Sequence, residues 1–178
     1  VVPPLVLATT FVMDGAGSPR AGYDYARSGT PGRTDFEAAL ASLEGGGTAL
    51  AFPSGLSAED TLLRVLVAAG ETVVFSGDVY GGTFRLLCAV LAHEGRRAVP
   101  VVATLLDEVA SVVAAERLAV VWVETPSNPL LEVADLPALI AAARDADVRV
   151  GVDNTFATPL LQNPLDLGAD VVLHSRSE

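Results

Sequence analysis

Lysine is missing from this sequence of 178 residues. All eleven basic residues are arginines, against 22 acidic residues, which gives a formal net charge of −11. A nucleic-acid surface neutralises phosphates with clustered Lys and Arg, and no such cluster is present, so nucleic-acid binding is not expected. The chain also has no ε-amine that could form a covalent bond with a carbonyl compound.

Cysteine is almost as scarce. Cys88 is the only one, so an internal disulfide is impossible and a cytoplasmic location is expected. Cys88 lies in an apolar, helix-like stretch, and we expect it in the core rather than as a nucleophile. His93 and His174 are too isolated to suggest a metal site. No apolar run reaches the roughly 20 residues of a membrane-spanning helix, so no membrane partner is expected.

The residues that are present suit a folded domain. Hydrophobic residues make up 51% of the chain and charged residues 19%, a composition that supports one sizeable core. The sequence has no initiator Met and stops directly after a strand-like run. We therefore expect a fragment or excised domain of a longer protein.

Hydrophobic periodicity predicts an extended arm followed by alternating strands and helices. Residues 1–33 are rich in Pro, Gly and Thr and have no sustained period. Thr34 and Glu37 have the spacing of a capping box, which predicts a helix as far as Leu43. The predicted strands that follow are 48–52, 71–75, 98–103, 118–123, 148–152 and 170–173, and the predicted helices lie near 56–69, 82–93, 105–116 and 135–146.

The strands indicate an α/β fold. The uninterrupted apolar run 118–123 is typical of a mostly parallel sheet that is covered by helices on both faces. Ligands of such sheets collect at the carboxyl ends of the strands. Polar segments follow five of the predicted strands, and we expect them to line one crevice. They begin at Ser54, Asp78, Glu124, Asp153 and His174.

Several residues of these segments have a binding interpretation and a structural one. Asp153 ends a buried strand, where an acid needs a partner such as a protonated ring nitrogen, although it could equally cap the next turn. Gly55 after Ser54 could form an anion cradle or simply open a helix. Tyr80 could stack on a planar ring or lie on the surface.

Two further sets of residues could contact a phosphate. Ser175 and Ser177 alternate along the end of the last predicted strand. Their hydroxyl groups could reach a phosphate, or the two serines could simply be polar residues at a strand end. Tyr25 and Arg27 lie in the extended arm. The guanidinium fork of an arginine suits a phosphate, and a solvated surface arginine is the alternative.

The order and spacing of these signals resemble one family, the cysteine/methionine-metabolism enzymes that depend on pyridoxal phosphate (PLP), which include the cystathionine synthases and lyases. The resemblance covers nearly the whole chain. It is carried by Pro4 to Phe11, Tyr25-Ala26-Arg27, Phe52 to Ala58, Tyr80-Gly81-Gly82-Thr83, Glu124 to Pro129, Val152 to Thr155 and His174-Ser175.

This resemblance implies a fold and an activity. The fold is the fold-type I large domain, in part, over residues 34–178, and the arm 1–33 reaches a neighbouring subunit in a homodimer or homotetramer. The implied activity is that of a lyase or transferase that breaks or forms a C–S bond at Cβ or Cγ of a sulfur amino acid. A nucleotide-binding Rossmann domain is disfavoured, because no G-x-G-x-x-G opens a helix after a strand.

The resemblance also implies roles for the matching residues. Asp153 pairs with the pyridinium nitrogen, Tyr80 stacks on the ring, Asn128 lies near its 3-oxygen and Thr155 packs close to it. The remaining residues would hold the phosphate: Gly55 and Leu56 through their N–H groups, Ser175 and Ser177 through their hydroxyl groups, and Tyr25 and Arg27 from a neighbouring subunit.

The chain departs from the family pattern at Thr30-Pro31-Gly32, at Pro53 and at Leu56, and the most serious departure is at its last residue. The family carries a lysine that holds the cofactor covalently where this sequence has Glu178. The 178 residues alone are therefore expected to be inactive, since this lysine and the C-terminal domain with its substrate-binding arginine are both missing from them. Two explanations are open: the lysine lies just beyond Glu178 with a shift of one residue in register, or Glu178 truly replaces it and the protein is a catalytically dead relative or structural module.

Overall fold

A computed structural model of the chain describes residues 2–102, 111–112 and 118–176. The chain divides into two units, Val1–Ala51 and Phe52–Glu178. The first unit contains a short antiparallel pair of strands and one helix. These elements are β1 (Met13–Gly15), β2 (Ser18–Pro19) and α1 (Pro31–Leu43).

Helix α1 begins earlier than the sequence predicts. Thr30 caps it, because its Oγ1 accepts a first-turn N–H at 3.2 Å, and Pro31 at the first helical position has a φ suited to a helix. Thr34 lies inside the helix, where its N–H donates to the Thr30 carbonyl. The predicted capping box of Thr34 and Glu37 is therefore wrong.

The predicted strand 48–52 is also wrong, since no strand forms over these residues. The N–H of Ala51 donates to Glu37 Oε1 at 2.8 Å instead of to a neighbouring strand. The side chain of Leu50 is 70% exposed. A strand forms only where a neighbouring strand provides partners for its backbone hydrogen bonds. Hydrophobic periodicity does not show whether such a neighbour is present.

The second unit is a five-stranded, fully parallel sheet with helices between its strands. The strand order is β4-β3-β5-β6-β7. The elements are α2 (Gly55–Leu66), β3 (Thr72–Ser76), α3 (Gly81–Arg85) continued by a π-helical segment (Leu86–Leu91), β4 (Arg97–Val101), β5 (Leu118–Glu124), α4 (Leu136–Asp145), β6 (Arg149–Asp153), α5 (Thr158–Leu161), α6 (Pro164–Leu167) and β7 (Val171–Leu173).

Both faces of the sheet are covered, and β5 shows how. Val121 and Val123 pack in a buried cluster with Leu139 of α4, whereas Trp122 packs on the opposite face in a cluster with Leu63 of α2. Alternate residues of one strand thus enter different cores, which explains the uninterrupted apolar run. The predicted α/β class with a mostly parallel sheet is confirmed.

The other predicted strands form within a few residues of their predicted bounds, as do the helices near 56–69, 82–93 and 135–146. The helix predicted near 105–116 lies almost wholly outside the described residues. None of the described helices is long and apolar enough to cross a membrane.

Cys88 is exposed, which corrects the prediction of a core cysteine. Leu86, Leu87 and Leu91 take the buried positions of the π-helical segment, and Cys88 lies on its outer side. Partial desolvation still raises the pKa of its thiol. A short apolar stretch does not reveal which of its residues faces outward.

Candidate functional site

The polar segments after the strands meet at one cavity of about 290 Å³, close to the lower limit of ordinary ligand pockets. All five predicted segments contribute to its wall. The lining residues are Ser54, Gly55, Leu56, Glu59, Tyr80, Thr83, Glu124, Asn128, Asp153, Thr155, Phe156, Leu173 and Ser175. A second cavity of about 330 Å³ is lined by Asp78, Glu124 and Ser127 of two of these segments, so the segments do not line a single crevice only, but it contains none of the predicted cofactor-binding residues.

Asp153 is buried at the last position of β6. Its Oδ1 accepts the N–H of Thr155 at 2.9 Å, and Thr155 Oγ1 accepts the N–H of Ser175 at 2.8 Å. The carboxylate is thus oriented by the turn that follows it, and this turn is joined to the segment after β7. Asp153 both stabilises a turn and lines the cavity, so the two interpretations of this residue are compatible.

Tyr80 precedes α3 and presents a half-exposed ring, 49% of the residue being accessible. Its N–H donates to Glu124 Oε2 at 2.7 Å, which ties the loop after β3 to the end of β5. A Cβ at position 82 would overlap the Tyr80 ring. Gly82 therefore permits the close packing of the ring over the first turn of α3.

Helix α2 begins at the cavity. Ser54 and Ser57 form a reciprocal cap. The N–H of Ser57 donates to Ser54 Oγ, and the N–H of Ser54 donates to Ser57 Oγ, at 3.1 Å each. The N–H groups of Gly55 and Leu56 have no acceptor within the helix, and the helix dipole makes this end partially positive. A Cβ at position 55 would lie 2.8 Å from the Cβ of Ser175, so only glycine fits this narrow cradle.

Glu59 is the site residue that sequence reasoning missed. It lies on α2, only 2% exposed, and its Oε2 accepts a hydrogen bond from the Thr83 hydroxyl group at 2.9 Å. Burial raises the pKa of Glu59 to about 8; the Thr83 hydrogen bond opposes the increase, and nearby Asp153 and Glu124 add to it. Glu59 precedes the apolar Leu63 by one helical turn, so both lie on the buried face of α2. This spacing is the sequence signal that could have identified Glu59 as a buried acid.

The structure brings together seven of the predicted site residues: Gly55, Leu56, Tyr80, Asn128, Asp153, Thr155 and Ser175. Ser177 and Glu178 lie outside the described residues. Tyr25 and Arg27 belong to the first unit, where the Arg27 guanidinium lies 5.1 Å from the centre of the Tyr25 ring. Their contact with a neighbouring subunit stays a prediction.

Residues 1–178 match a family model described as "Cys/Met metabolism PLP-dependent enzyme". The chain belongs to this family. It is 46% identical over 175 residues to the cystathionine gamma-synthase of Mycobacterium tuberculosis (strain ATCC 25618 / H37Rv), covering 98% of this chain and 45% of that relative. It is 43% identical over 175 residues to the cystathionine beta-lyase of Lactococcus lactis subsp. cremoris, with the same coverages.

Solved structures agree with the family assignment. The cystathionine gamma synthase from Xanthomonas oryzae pv. oryzae, crystallised in complex with aminoacrylate and cysteine, has a TM-score of 0.90 and 41% identity. The match covers 98% of this chain and 44% of that one. The chain spans about half the length of the curated relatives it matches.

The cavity of this Cys/Met metabolism chain fits the family's cofactor, PLP, which combines a planar pyridine ring with a phosphate. The cradle between Gly55 and Ser175 would be filled by a Cβ, and it lies at a helix N-terminus suited to an anion. Tyr80 and the carboxylate of Asp153 share the same wall. A flat aromatic face and an acid suit a protonated pyridine ring.

Proposed function

We propose that the complete protein is a PLP-dependent enzyme that breaks or forms a C–S bond at Cβ or Cγ of a sulfur amino acid. One observation carries the proposal: Tyr80 and Asp153, which are 73 positions apart in the sequence, line one cavity together with the anion cradle at Gly55. The cystathionine synthase and lyase names of the relatives support the substrate class.

Asp153 keeps the ring nitrogen protonated in this proposal. The bond from the Thr155 N–H holds the carboxylate in one orientation, and burial strengthens its attraction for a cationic ring. The cofactor supplies an electron sink for the Cα of a bound amino acid, which allows a group at Cβ or Cγ to leave. A neutral side chain at position 153 would remove the charge that favours this ring protonation.

The other cavity residues position the ring and its phosphate. Tyr80 stacks on the ring and Asn128 lies near its 3-oxygen, while Thr155 packs close to the ring. The N–H groups of Gly55 and Leu56, with the hydroxyl groups of Ser175 and Ser177, bind the phosphate. These donors are neutral, so the negative charge of the phosphate is balanced by the α2 dipole and by positively charged residues from outside this cavity wall.

We further propose that Tyr25 and Arg27 supply that balance from a neighbouring subunit, so a competent site requires at least a homodimer or a homotetramer. Arg27 is suited to this role because its guanidinium binds phosphate through two parallel hydrogen bonds. A cytoplasmic location is also part of the proposal, and the single cysteine supports it. A lysine outside these 178 residues would hold the cofactor covalently.

The test uses the complete protein with and without Asp153→Asn. We expect the wild type to acquire a visible absorbance band with added PLP and to release or consume a thiol when given cystathionine or cysteine. Asp153→Asn should keep most cofactor affinity but lose at least 100-fold in kcat, in line with other positioned catalytic charges. A wild-type protein without the absorbance band would overturn the proposal.

The alternative of a catalytically dead relative is distinguished by the same assay. It predicts cofactor binding without turnover, and no lysine within a residue or two of position 178 in the complete sequence. The family match and the enzymatic names of the relatives give it no support.

A further inference from the structure

Glu59 adds a third acid to the wall of the cavity. It lies on the wall with two other acids, Glu124 at the end of β5 and Asp153 at the end of β6. Among the described residues that line this cavity, none is Arg or His. Three ionised carboxylates around one small space would repel one another and any anionic ligand.

The hydrogen bonding of Glu59 is incomplete. Thr83 donates to Oε2, but Oε1 is buried and has no hydrogen-bond partner among the described residues. A buried ionised carboxylate with an unpaired oxygen is costly, whereas the protonated group is neutral. Within the described part of the chain, the charged groups that act on Glu59 are Asp153, Glu124 and its helix neighbour Asp60, and all three favour the proton.

We propose that Glu59 is a proton-holding residue of the cofactor cavity and that its protonated form is the one that favours PLP binding. This inference rests on the proposed function. PLP brings an anionic phosphate and displaces water from the wall. Ionised Glu59 would then face a more negative and drier environment, so the bound state favours the proton more strongly than the free state does.

Binding and protonation are therefore linked. If Glu59 must be protonated for tight binding, PLP raises the pKa of Glu59 from its value of about 8, and an increase in pH through that value weakens PLP binding. The change Glu59→Gln keeps the shape of the protonated acid and an oxygen that can accept a hydrogen bond from the Thr83 hydroxyl group. It cannot ionise, so this part of the pH dependence should disappear.

The experiment measures the dissociation constant of PLP for the complete protein at about pH 6.5 and about pH 9.5, on either side of the Glu59 pKa of about 8. It compares the wild type, Glu59→Gln and Asp60→Asn. Asp60→Asn is the matched control, because it removes an acid from the adjacent helix position whose effect on Glu59 is the smallest of the three and which pairs with Arg64 outside the cavity wall.

We expect the wild type and Asp60→Asn to lose affinity by up to about tenfold more than Glu59→Gln over this range, which corresponds to one pKa unit of coupling. Equal factors in the wild type and Glu59→Gln would overturn the inference while leaving the proposed function intact. No PLP binding by the wild type at either pH would overturn the proposed function and this inference with it.

A second measurement uses only the wild-type protein, so its result does not depend on whether a variant folds. The carbonyl stretch of protonated carboxyl groups is followed by infrared spectroscopy of the wild type near pH 8, where Glu59 is about half protonated. PLP should increase this band. If PLP binds and the band stays constant or decreases, the inference is wrong.

Discussion

A side chain at position 55 would collide with Ser175. A Cβ built on Gly55 lies 2.8 Å from the Ser175 Cβ and 3.0 Å from its Oγ, whereas unbonded carbon atoms pack at about 3.5–4.0 Å. The absence of this one carbon lets the start of α2 approach the segment after β7. The cradle proposed for the phosphate depends on this approach.

The change Gly55→Ala should therefore weaken PLP binding by about tenfold or more. The new methyl group must push α2 away from Ser175, and overpacking of this kind costs about 1–3 kcal/mol. Equilibrium titration of the complete protein with PLP measures the effect.

The matched control is Gly77→Ala. A Cβ at Gly77 would lie 3.5 Å from its nearest neighbour, the Val101 carbonyl oxygen, which is an ordinary contact. This variant should bind PLP within about twofold of the wild type, a difference well below 1 kcal/mol. If Gly55→Ala binds as tightly as Gly77→Ala, the cradle does not bind the phosphate.

A reciprocal pair of amides fastens the edge of the sheet on which Asp153 lies. Asn154 Nδ2 donates to the backbone carbonyl of Gln162, and the side-chain Nε2 of Gln162 donates to Asn154 Oδ1, at 2.8 Å each. The same Nε2 also donates to the Thr125 carbonyl at 3.1 Å. Gln162→Ala removes Nε2 as a donor to Asn154 Oδ1 and to the Thr125 carbonyl, both of which belong to buried residues. It should lower the free energy of unfolding by about 1–3 kcal/mol.

Urea denaturation of the complete protein measures this loss, with the exposed change Asp166→Asn on α6 as the control. Surface changes of that kind usually alter stability by less than about 0.5 kcal/mol. Equal midpoints for the two variants would mean that the amide pair does not stabilise this edge.

Glu59 should make stability depend on pH. Burial holds the pKa of folded Glu59 at about 8, above the ordinary value of 4.5. The folded protein therefore keeps a proton that the unfolded chain has already released between these two pH values. The stabilisation is complete below about pH 4.5 and is lost as the pH rises to about 8.

Urea denaturation across that pH range compares the wild type with Glu59→Gln, both without PLP. The difference in unfolding free energy, wild type minus variant, should fall by about 1.4 kcal/mol for each pKa unit of the shift. A difference that does not change with pH would show that Glu59 ionises as an ordinary carboxyl group.

Subunit complementation tests the role proposed for the arm. Arg27→Ala and Asp153→Asn should each abolish most activity of the complete protein. If Arg27 serves a neighbouring site, a mixed oligomer contains sites with neither change and regains activity. Co-expression of the two variants followed by an activity assay measures this, and mixtures that stay as inactive as either parent would place both residues in the same site.

The α/β class and the grouping of the site residues could be predicted from the sequence. Buried parallel strands read as uninterrupted apolar runs such as 118–123, and their carboxyl ends necessarily lie at one edge of the sheet. Polar segments that follow those runs, such as the ones with Asp153 and Tyr80, are therefore expected to lie near one another, and both residues line the cavity.

The features that could not be predicted depend on tertiary contacts. The run 48–52 has strand-like residues, but Ala51 bonds to the side chain of Glu37 rather than to a strand. Cys88 and its neighbours are all apolar, but Leu87 and Leu91 are buried whereas Cys88 is exposed to solvent. The raised pKa of Glu59 depends on Asp153 and Glu124, which are distant in the sequence and come close only through the order of the strands.

A crystal structure of the complete protein with PLP tests the central claim most directly. We predict electron density for the pyridine ring between the side chain of Tyr80 and the cavity wall, with its nitrogen within hydrogen-bond distance of the Asp153 carboxylate and its phosphate at the N–H groups of Gly55 and Leu56. Density for PLP away from this cavity, or a ring nitrogen that does not contact Asp153, would contradict the account.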